Sequence, residues 1–283
     1  MLATLSVFAE SFPYTSRTKR LTLHTSLSHS RELTHNIYEL ISARTCSSQR
    51  IKAKISNGPN ALFLKSSALN SWKSKLRLTL GIQRSKKNGA GYDWPLEELI
   101  NSMEANNLNI PSARIFGFGY VRHRLGWIVE FFLITEQLIS HVDGTHWLAT
   151  EGNDPKELIS RALTLILRLH ECDFIHLDPW IANFMINPNN LDDIRIVDLE
   201  NCILAPTQHF LETLGIQFGI LYRRVVCDYV AEEHFDELVK HTVMLQEVHC
   251  DERFWRAYMI SKREKIARKS RRRTPLTGNI APG

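Results

Sequence analysis

Apolar positions fall first into short alternating runs and then into long helical stripes. Residues 36–41 (NIYELI) alternate weakly and read as a strand, and residues 43–49 (ARTCSSQ) form a turn of small residues. Residues 50–55 (RIKAKI) alternate cleanly, Asn57-Gly58-Pro59-Asn60 is a turn, and residues 61–65 (ALFLK) are a third strand. The pattern predicts a three-stranded meander. A helix is expected over 94–106, with Pro95 where helix starts tolerate it and Leu96, Leu99, Ile100 and Met103 on one face. Residues 114–121 (RIFGFGYV) and 126–134 (GWIVEFFLI) then read as a strand pair around a turn at 122–125.

The second half is helical. Asp154-Pro155 opens the strongest helix, with an N-cap acid, a proline at the first position and Glu157 at the capping-box position. Leu158, Ile159, Ala162, Leu163, Leu165, Ile166 and Leu169 follow at helical spacing and predict a buried helix ending near Cys172. Further helical patterns run over 208–232 and 234–246, with a last one from Asp251. Residues 1–36, rich in Ser, Thr and His without sustained periodicity, read as a flexible extension.

Composition narrows the class. The 283 residues are 43% hydrophobic, enough to bury the core of one bilobal domain or two small ones. The five cysteines are scattered and never spaced C-x-x-C, which argues against a disulfide framework or a zinc site and fits a reducing compartment. No stretch approaches the ~20 apolar residues of a spanning helix, and Glu10 interrupts the first apolar run, so a cytoplasmic or peripheral protein is expected. Residues 262–273 (KREKIARKSRRR) hold eight basic residues and one acid, a local charge of +7 that leaves about −2 for the remainder of the +5 chain. Residues 262–283 therefore read as a basic tail, either a solvated extension or a surface for an anionic partner. Residues 73–87 form a second basic stretch, a solvated loop or an anion-binding rim.

The chemistry concentrates at His176-Leu177-Asp178-Pro179-Trp180-Ile181-Ala182-Asn183, an H-x-D-x-x-x-x-N pattern. It is followed by the apolar strand Phe184-Met185-Ile186 and, after a polar turn, by Ile194-Arg195-Ile196-Val197-Asp198. A loop with an Asp and, five residues on, an Asn can set a carboxylate at an acceptor hydroxyl and an amide oxygen on a metal. Asp198, arriving on the neighbouring hairpin strand, can ligate the Mg²⁺ that bridges ATP phosphates. His176 reads as a structural holder of the loop. Lys65, ending the third strand, is the candidate phosphate-contacting lysine, with Glu97 on the following helix its first partner and Glu98 its second.

Residues 169–178 (LHECDFIHLD), 183–186 (NFMI), 196–200 (IVDLE) and 132–136 (FLITE) resemble the lipopolysaccharide kinase family of the Kdo/WaaP type, part of the protein-kinase-like superfamily, over about residues 37–225. The resemblance implies an α+β, bilobal protein-kinase-like fold, with a small antiparallel-sheet N-lobe over 37–136 and a mainly helical C-lobe over 137–261. It implies ATP- and Mg²⁺-dependent phosphorylation of a sugar hydroxyl, Kdo or heptose, in the lipopolysaccharide inner core at the cytoplasmic face of the inner membrane. Asp178 would orient the acceptor hydroxyl, Asn183 and Asp198 would bind metal, and Lys65 with Glu97 would clamp phosphate. The segment from Glu130 to Glu136 would carry the hinge that holds the adenine edge. The turn at 43–49 lacks the usual glycines, so Ser47, Ser48 and backbone N–H groups would have to cradle phosphate.

Other departures shape the alternatives. Leu177 stands where many protein kinases have Arg, so control by a phosphorylated activation loop is not expected; no glycine and no A-P-E element follow Asp198, and only some ten residues separate it from the next helix, which favours a small or glycan acceptor over a docked peptide. Pro179-Trp180 has no physical explanation in the sequence. An atypical protein kinase, and a pseudokinase or binding protein working through the basic tail, remain alternatives. Through that tail, contact with anionic membrane or phosphorylated glycan is expected ahead of nucleic acid, for which binding would weaken steeply with salt.

Overall fold

A computed structural model describes residues 5–43, 50–80 and 96–280, and the chain divides into two units. Residues up to 139 other than 107–112 belong to the first, and residues 107–112 with 140 onward to the second.

The first unit is a six-stranded antiparallel sheet with a hydrophobic cluster on each face. Its elements in order are α1 (Leu5–Ala9), β1 (Tyr14–Arg17), β2 (Leu21–Thr25), α2 (Arg31–Ser42), β3 (Ile51–Asn57), β4 (Asn60–Ala68), α3 (Trp72–Leu80), α4 (Leu96–Asn107), β5 (Ile115–Arg122) and β6 (Ile128–Glu136). The strand order is β1-β2-β5-β6-β4-β3. The period-2 alternation of β6 sorts the faces: Phe131 and Leu133 join Phe8, Phe12, Leu96, Leu99 and Phe118 on one side, while Phe132 and Ile134 join Leu21, Leu23, Leu33, Ile37, Leu62 and Leu64 on the other. Both clusters are buried, so the central strands β5 and β6, covered on both faces, are mostly apolar.

Several expectations are corrected here. Residues 36–41 are helical, not a strand: Ser30 caps α2 by accepting from the Leu33 N–H at 3.0 Å, and Leu33, Ile37 and Ile41 at four-residue spacing pack on the sheet. Residues 14–25 are not an extension either. All five residues of β2 are buried in register with β5, and His24 stacks on Phe118 at 5.0 Å. The Ser/Thr-rich composition hid a strand whose two faces are both covered. The predicted meander thus contributes only β3 and β4, joined by the turn at Gly58-Pro59. Residues 72–80 of the basic stretch are helical, with Leu78 buried. Glu130 lies within β6, paired with Ala68 and Val121 and buried, with Ser66 Oγ donating to its carboxylate; it is a core strand residue and not part of a connecting hinge. The strand continues to Glu136 because Leu133, Ile134 and Thr135 still pair with β4. Ser47 and Ser48 lie outside the described residues.

The second unit contains β7 (Val142–Asp143), α5 (Gly144–Ala149), α6 (Pro155–Glu171), β8 (Phe174–His176), β9 (Phe184–Asn187), β10 (Asn190–Ile196), β11 (Cys202–Leu204), α7 (Phe210–Arg223), α8 (Glu232–Leu245), α9 (Glu252–Arg263) and α10 (Arg268–Thr277). Asp154 caps α6 as predicted, accepting from Lys156 N–H at 2.9 Å. Glu157 does not close a capping box; its carboxylate binds Arg161 one turn on. In α7 every residue from Thr213 to Tyr222 is buried. Gly215 and Gly219 lie against α9, where a Cβ would meet the backbone around Phe254, Tyr258 and Lys262, and Ser261 Oγ donates to Gly215 O at 3.2 Å. The helical pattern read over 208–232 stops at Arg223; α8 starts only at Glu232.

The boundary drawn at residue 262 falls inside α9. Lys262 has a buried side chain whose Nζ meets Asp236 at 2.6 Å and Glu232 at 2.7 Å. Residues 268–277 form α10, in which Thr274 and Pro275 are buried, and Thr207 Oγ1 donates to Pro275 O. The stretch read as a solvated extension or an anion-facing surface thus holds a helix linked to the second unit, because Pro275 O accepts from Thr207 and Arg271 donates to Leu177 O and Asp178, all far back in sequence.

Candidate functional site

In the second unit the H-x-D-x-x-x-x-N loop leaves β8 and re-enters at β9, and its backbone is laced to its own side chains. β8 pairs antiparallel with β11, and Leu177 N–H continues that link to Asn201 O at 2.8 Å. The carbonyl of Asp178 accepts two bonds, from Trp180 N–H at 2.9 Å and from Asn183 Nδ2 at 2.9 Å. Asn183 N–H donates to Trp180 O, and Val197 N–H donates to Asn183 O, both at 2.9 Å. Asp178 and Asn183 are therefore fixed to one another, and Val197, which leads from β10 to Asp198, is fixed to Asn183.

Asp198 has φ 63° and ψ 55°, a left-handed conformation that a non-glycine residue adopts only where its surroundings impose it. Directly after β10, this backbone turns the chain into a short 3₁₀ segment at Leu199–Asn201. Because Nδ2 of Asn183 is committed to Asp178 O, its Oδ1 is the acceptor end left for a ligand. An amide oxygen and the carboxylate of Asp198 are hard donors that suit Mg²⁺.

His176 is fully buried, and its Nδ1 accepts from Asp178 N–H at 3.2 Å, which assigns the ring proton to Nε2. Burial holds its pKa below the ordinary value, against the pull of Asp178 and Asp198, so the imidazole is a neutral brace. Behind it, buried Gln217 of α7 donates from Nε2 to His176 O at 2.8 Å and accepts from His170 Nε2 at 2.6 Å. The pKa of His170 is likewise lowered by burial, with the Gln217 bond opposing.

Two arginines contact Asp178. Arg271 of α10 donates to Asp178 Oδ1 at 2.6 Å and to Leu177 O at 2.7 Å. Arg224, capping α7, lies 3.5 Å from the same Oδ1, with its guanidinium 3.9 Å from the centre of the Trp180 ring. Trp180 is thereby explained as the platform for Arg224. Arg223 precedes Arg224 on α7; burial first, then the neighbouring Arg224 and Arg271 charges, lower its pKa.

In the first unit, β4 alternation sends Leu62 and Leu64 to the α2 face and Lys65 to the α4 face. There Lys65 Nζ meets Glu98 Oε1 at 2.9 Å, both side chains mostly buried. The choice of Glu97 is corrected to Glu98. Glu97 is itself buried, since the inward stripe of α4 is wide enough to include Leu96, Glu97, Leu99, Asn101 and Ser102. A helical wheel alone could not choose between adjacent acids; the position of Lys65 on its strand does.

Sequence reasoning passed over Gln217, Arg224 and Arg271. A signal existed for Gln217, a lone amide inside the apolar run Leu214-Gly215-Ile216-Gln217-Phe218-Gly219-Ile220. None existed for Arg271, 93 residues from Asp178 in sequence.

No protein-family model matches the chain, and no curated protein does. Among solved structures it is similar to WaaP in complex with acyl carrier protein, at 16% identity and a TM-score of 0.46, over 72% of this chain and 79% of that one. It is also similar to a divergent kinase lacking the glycine-rich loop that regulates membrane ultrastructure of the Toxoplasma parasitophorous vacuole, at 12% identity and a TM-score of 0.47, over 94% of each chain. Vaccinia related kinase 3 is a third, at 11% identity and a TM-score of 0.41, over 96% of this chain and 94% of that one.

Proposed function

We infer that the chain is a kinase-type phosphotransferase that moves the γ-phosphoryl group of ATP to an alcohol, with a sugar hydroxyl of the lipopolysaccharide inner core as the acceptor its sequence resemblance favours. The observation that carries this reading is the mutual fixing of Asp178, Asn183 and Val197, the residue before Asp198, through the carbonyls of Asp178 and Asn183. Such lacing is what a loop needs if its carboxylate and amide must hold set positions with little reorganisation during reaction.

In this reading Asp178 accepts a hydrogen bond from the acceptor hydroxyl and takes its proton as the new O–P bond forms and the bond from phosphorus to the ADP oxygen breaks. Asn183 Oδ1 and Asp198 would hold Mg²⁺, which when bound neutralises phosphate charge. Lys65, held by Glu98, supplies a cation for the nucleotide phosphates. His176 and Gln217 do no chemistry; they hold the loop.

A second reading, a nucleotide-binding protein without transfer, is favoured by one observation: Asp178 Oδ1 is already engaged by Arg271. ATP turnover with Mg²⁺ and a panel of lipopolysaccharide core sugars, small sugars and a generic protein, for wild type beside Asp198→Asn, tests both. Phosphate on a sugar that disappears in the variant is the expected result. Binding of ATP with no transfer to any acceptor would put the second reading first; label on the protein acceptor alone would move the assignment to an atypical protein kinase.

A further inference from the structure

The basic residues around Asp178 outnumber their acidic partner. Arg224 and Arg271 both point at the single Oδ1 of Asp178. One carboxylate thus answers two guanidinium groups, leaving an excess of about one positive charge around it. The Nε of Arg271 is buried and has no hydrogen-bond partner. A buried donor in a folded protein is ordinarily paired, so this one, on a guanidinium that already touches Asp178, leaves a place for a further acceptor.

The C-terminal dipole of α7 accounts for part of this, since Arg223 and Arg224 end that helix. It does not account for Arg271, which arrives on a separate helix. Nor is Arg271 an idle surface charge. Its side chain is 14% exposed, and α10 is anchored by Thr207, whose Oγ1 donates to Pro275 O. Trp180 fixes the plane of Arg224, which prepares its fork for a flat or tetrahedral oxyanion better than a freely rotating side chain would. Only Oδ1 of Asp178 is occupied by the arginines, so Oδ2 is the oxygen available to a hydroxyl.

We propose that Arg224 and Arg271 form an oxyanion subsite beside Asp178, which binds a phosphate or carboxylate group carried by the acceptor next to the hydroxyl that is phosphorylated. The acceptor is then an anionic sugar or polyol, and a neutral sugar is a poor substrate. The assignment of that anion to an acceptor rests on the phosphotransferase reading; the anion subsite itself does not.

The test separates the two. Titration calorimetry of the full chain with inorganic phosphate, without nucleotide, is run on wild type, Arg224→Ala, Arg271→Lys and Asp178→Asn. Arg224 is 39% exposed, so its truncation leaves the core intact, as circular dichroism checks. Arg224→Ala is expected to weaken phosphate binding by about tenfold, the size of one charge-assisted hydrogen bond. Asp178→Asn, which removes the competing carboxylate, should bind phosphate at least as tightly as wild type. Equal phosphate affinity in wild type and Arg224→Ala, or no binding in wild type and Asp178→Asn alike, overturns the subsite. The acceptor arm compares glucose with glucose 6-phosphate and gluconate. Transfer faster to either anionic acceptor, with the advantage lost in Arg224→Ala, is expected. Faster transfer to glucose in Arg271→Lys, with unchanged phosphate binding, would show instead that Arg271 blocks the carboxylate. Phosphate binding without any transfer leaves the subsite standing and sinks the phosphotransferase reading.

Discussion

Gln217→Leu isolates the brace behind the site loop. The substitution keeps roughly the volume of the side chain and removes both of its bonds, Nε2 to His176 O at 2.8 Å and Oε1 from His170 Nε2 at 2.6 Å. His176 is fully buried, so its carbonyl finds no water in exchange, and an unsatisfied buried acceptor costs about 1–3 kcal/mol. His170 is partly accessible and recovers some solvation, so its lost bond is put at about 1 kcal/mol. Together the loss is about 2–4 kcal/mol, against total stabilities of about 5–15 kcal/mol. At about 2–4 °C per kcal/mol, the unfolding midpoint falls by roughly 5–15 °C. Differential scanning calorimetry reads this directly. Gln217→Glu is the companion variant: it keeps an acceptor for His170 but sets a carboxylate against a carbonyl oxygen, so at neutral pH it should be no more stable than the leucine variant. A loss below about 1 kcal/mol for Gln217→Leu would show that the loop carbonyl is satisfied in another way, and that α7 does not hold the loop.

Two further outcomes follow from buried charge. Lys262→Met removes the ammonium that Asp236 and Glu232 share, while Tyr258 still donates to Asp236, Arg263 still lies 3.5 Å from Glu232 and both acids keep partial exposure; a loss of about 1.5–3 kcal/mol by urea denaturation is expected, and an unchanged stability would refute the network. Acidification should also destabilise the chain. Burial lowers the pKa of His24, His29, His170 and His176, so below about 6.5 the unfolded chain binds more protons than the folded one, and stability rises with pH through that window and falls on acidification. The urea midpoint should therefore drop between pH 7.5 and 5.5; an unchanged or higher midpoint at pH 5.5 would contradict the neutral, buried histidines.

What the sequence determined by itself was what depends on near neighbours. The H-x-D-x-x-x-x-N spacing already implied that Asp178 and Asn183 share a loop, and the run to Asp198 implied a hairpin, because turn chemistry and period-2 alternation act within a few residues. The cap of α6 at Asp154 and the β5–β6 pair were legible for the same reason. Tertiary structure decided the rest. Residues 14–25 look polar and loose in sequence, yet β2 is a fully buried strand, since burial there comes from β5 about a hundred residues away and from α2. Glu98 was chosen over Glu97 by where the strand carries Lys65. Arg224, Arg271 and Gln217 reach the site from helices that return to it 40–90 residues later, a distance over which no local pattern carries information. The residues named for chemistry came from spacing; those that hold and charge them came only from the packing of α7 and α10 around the loop.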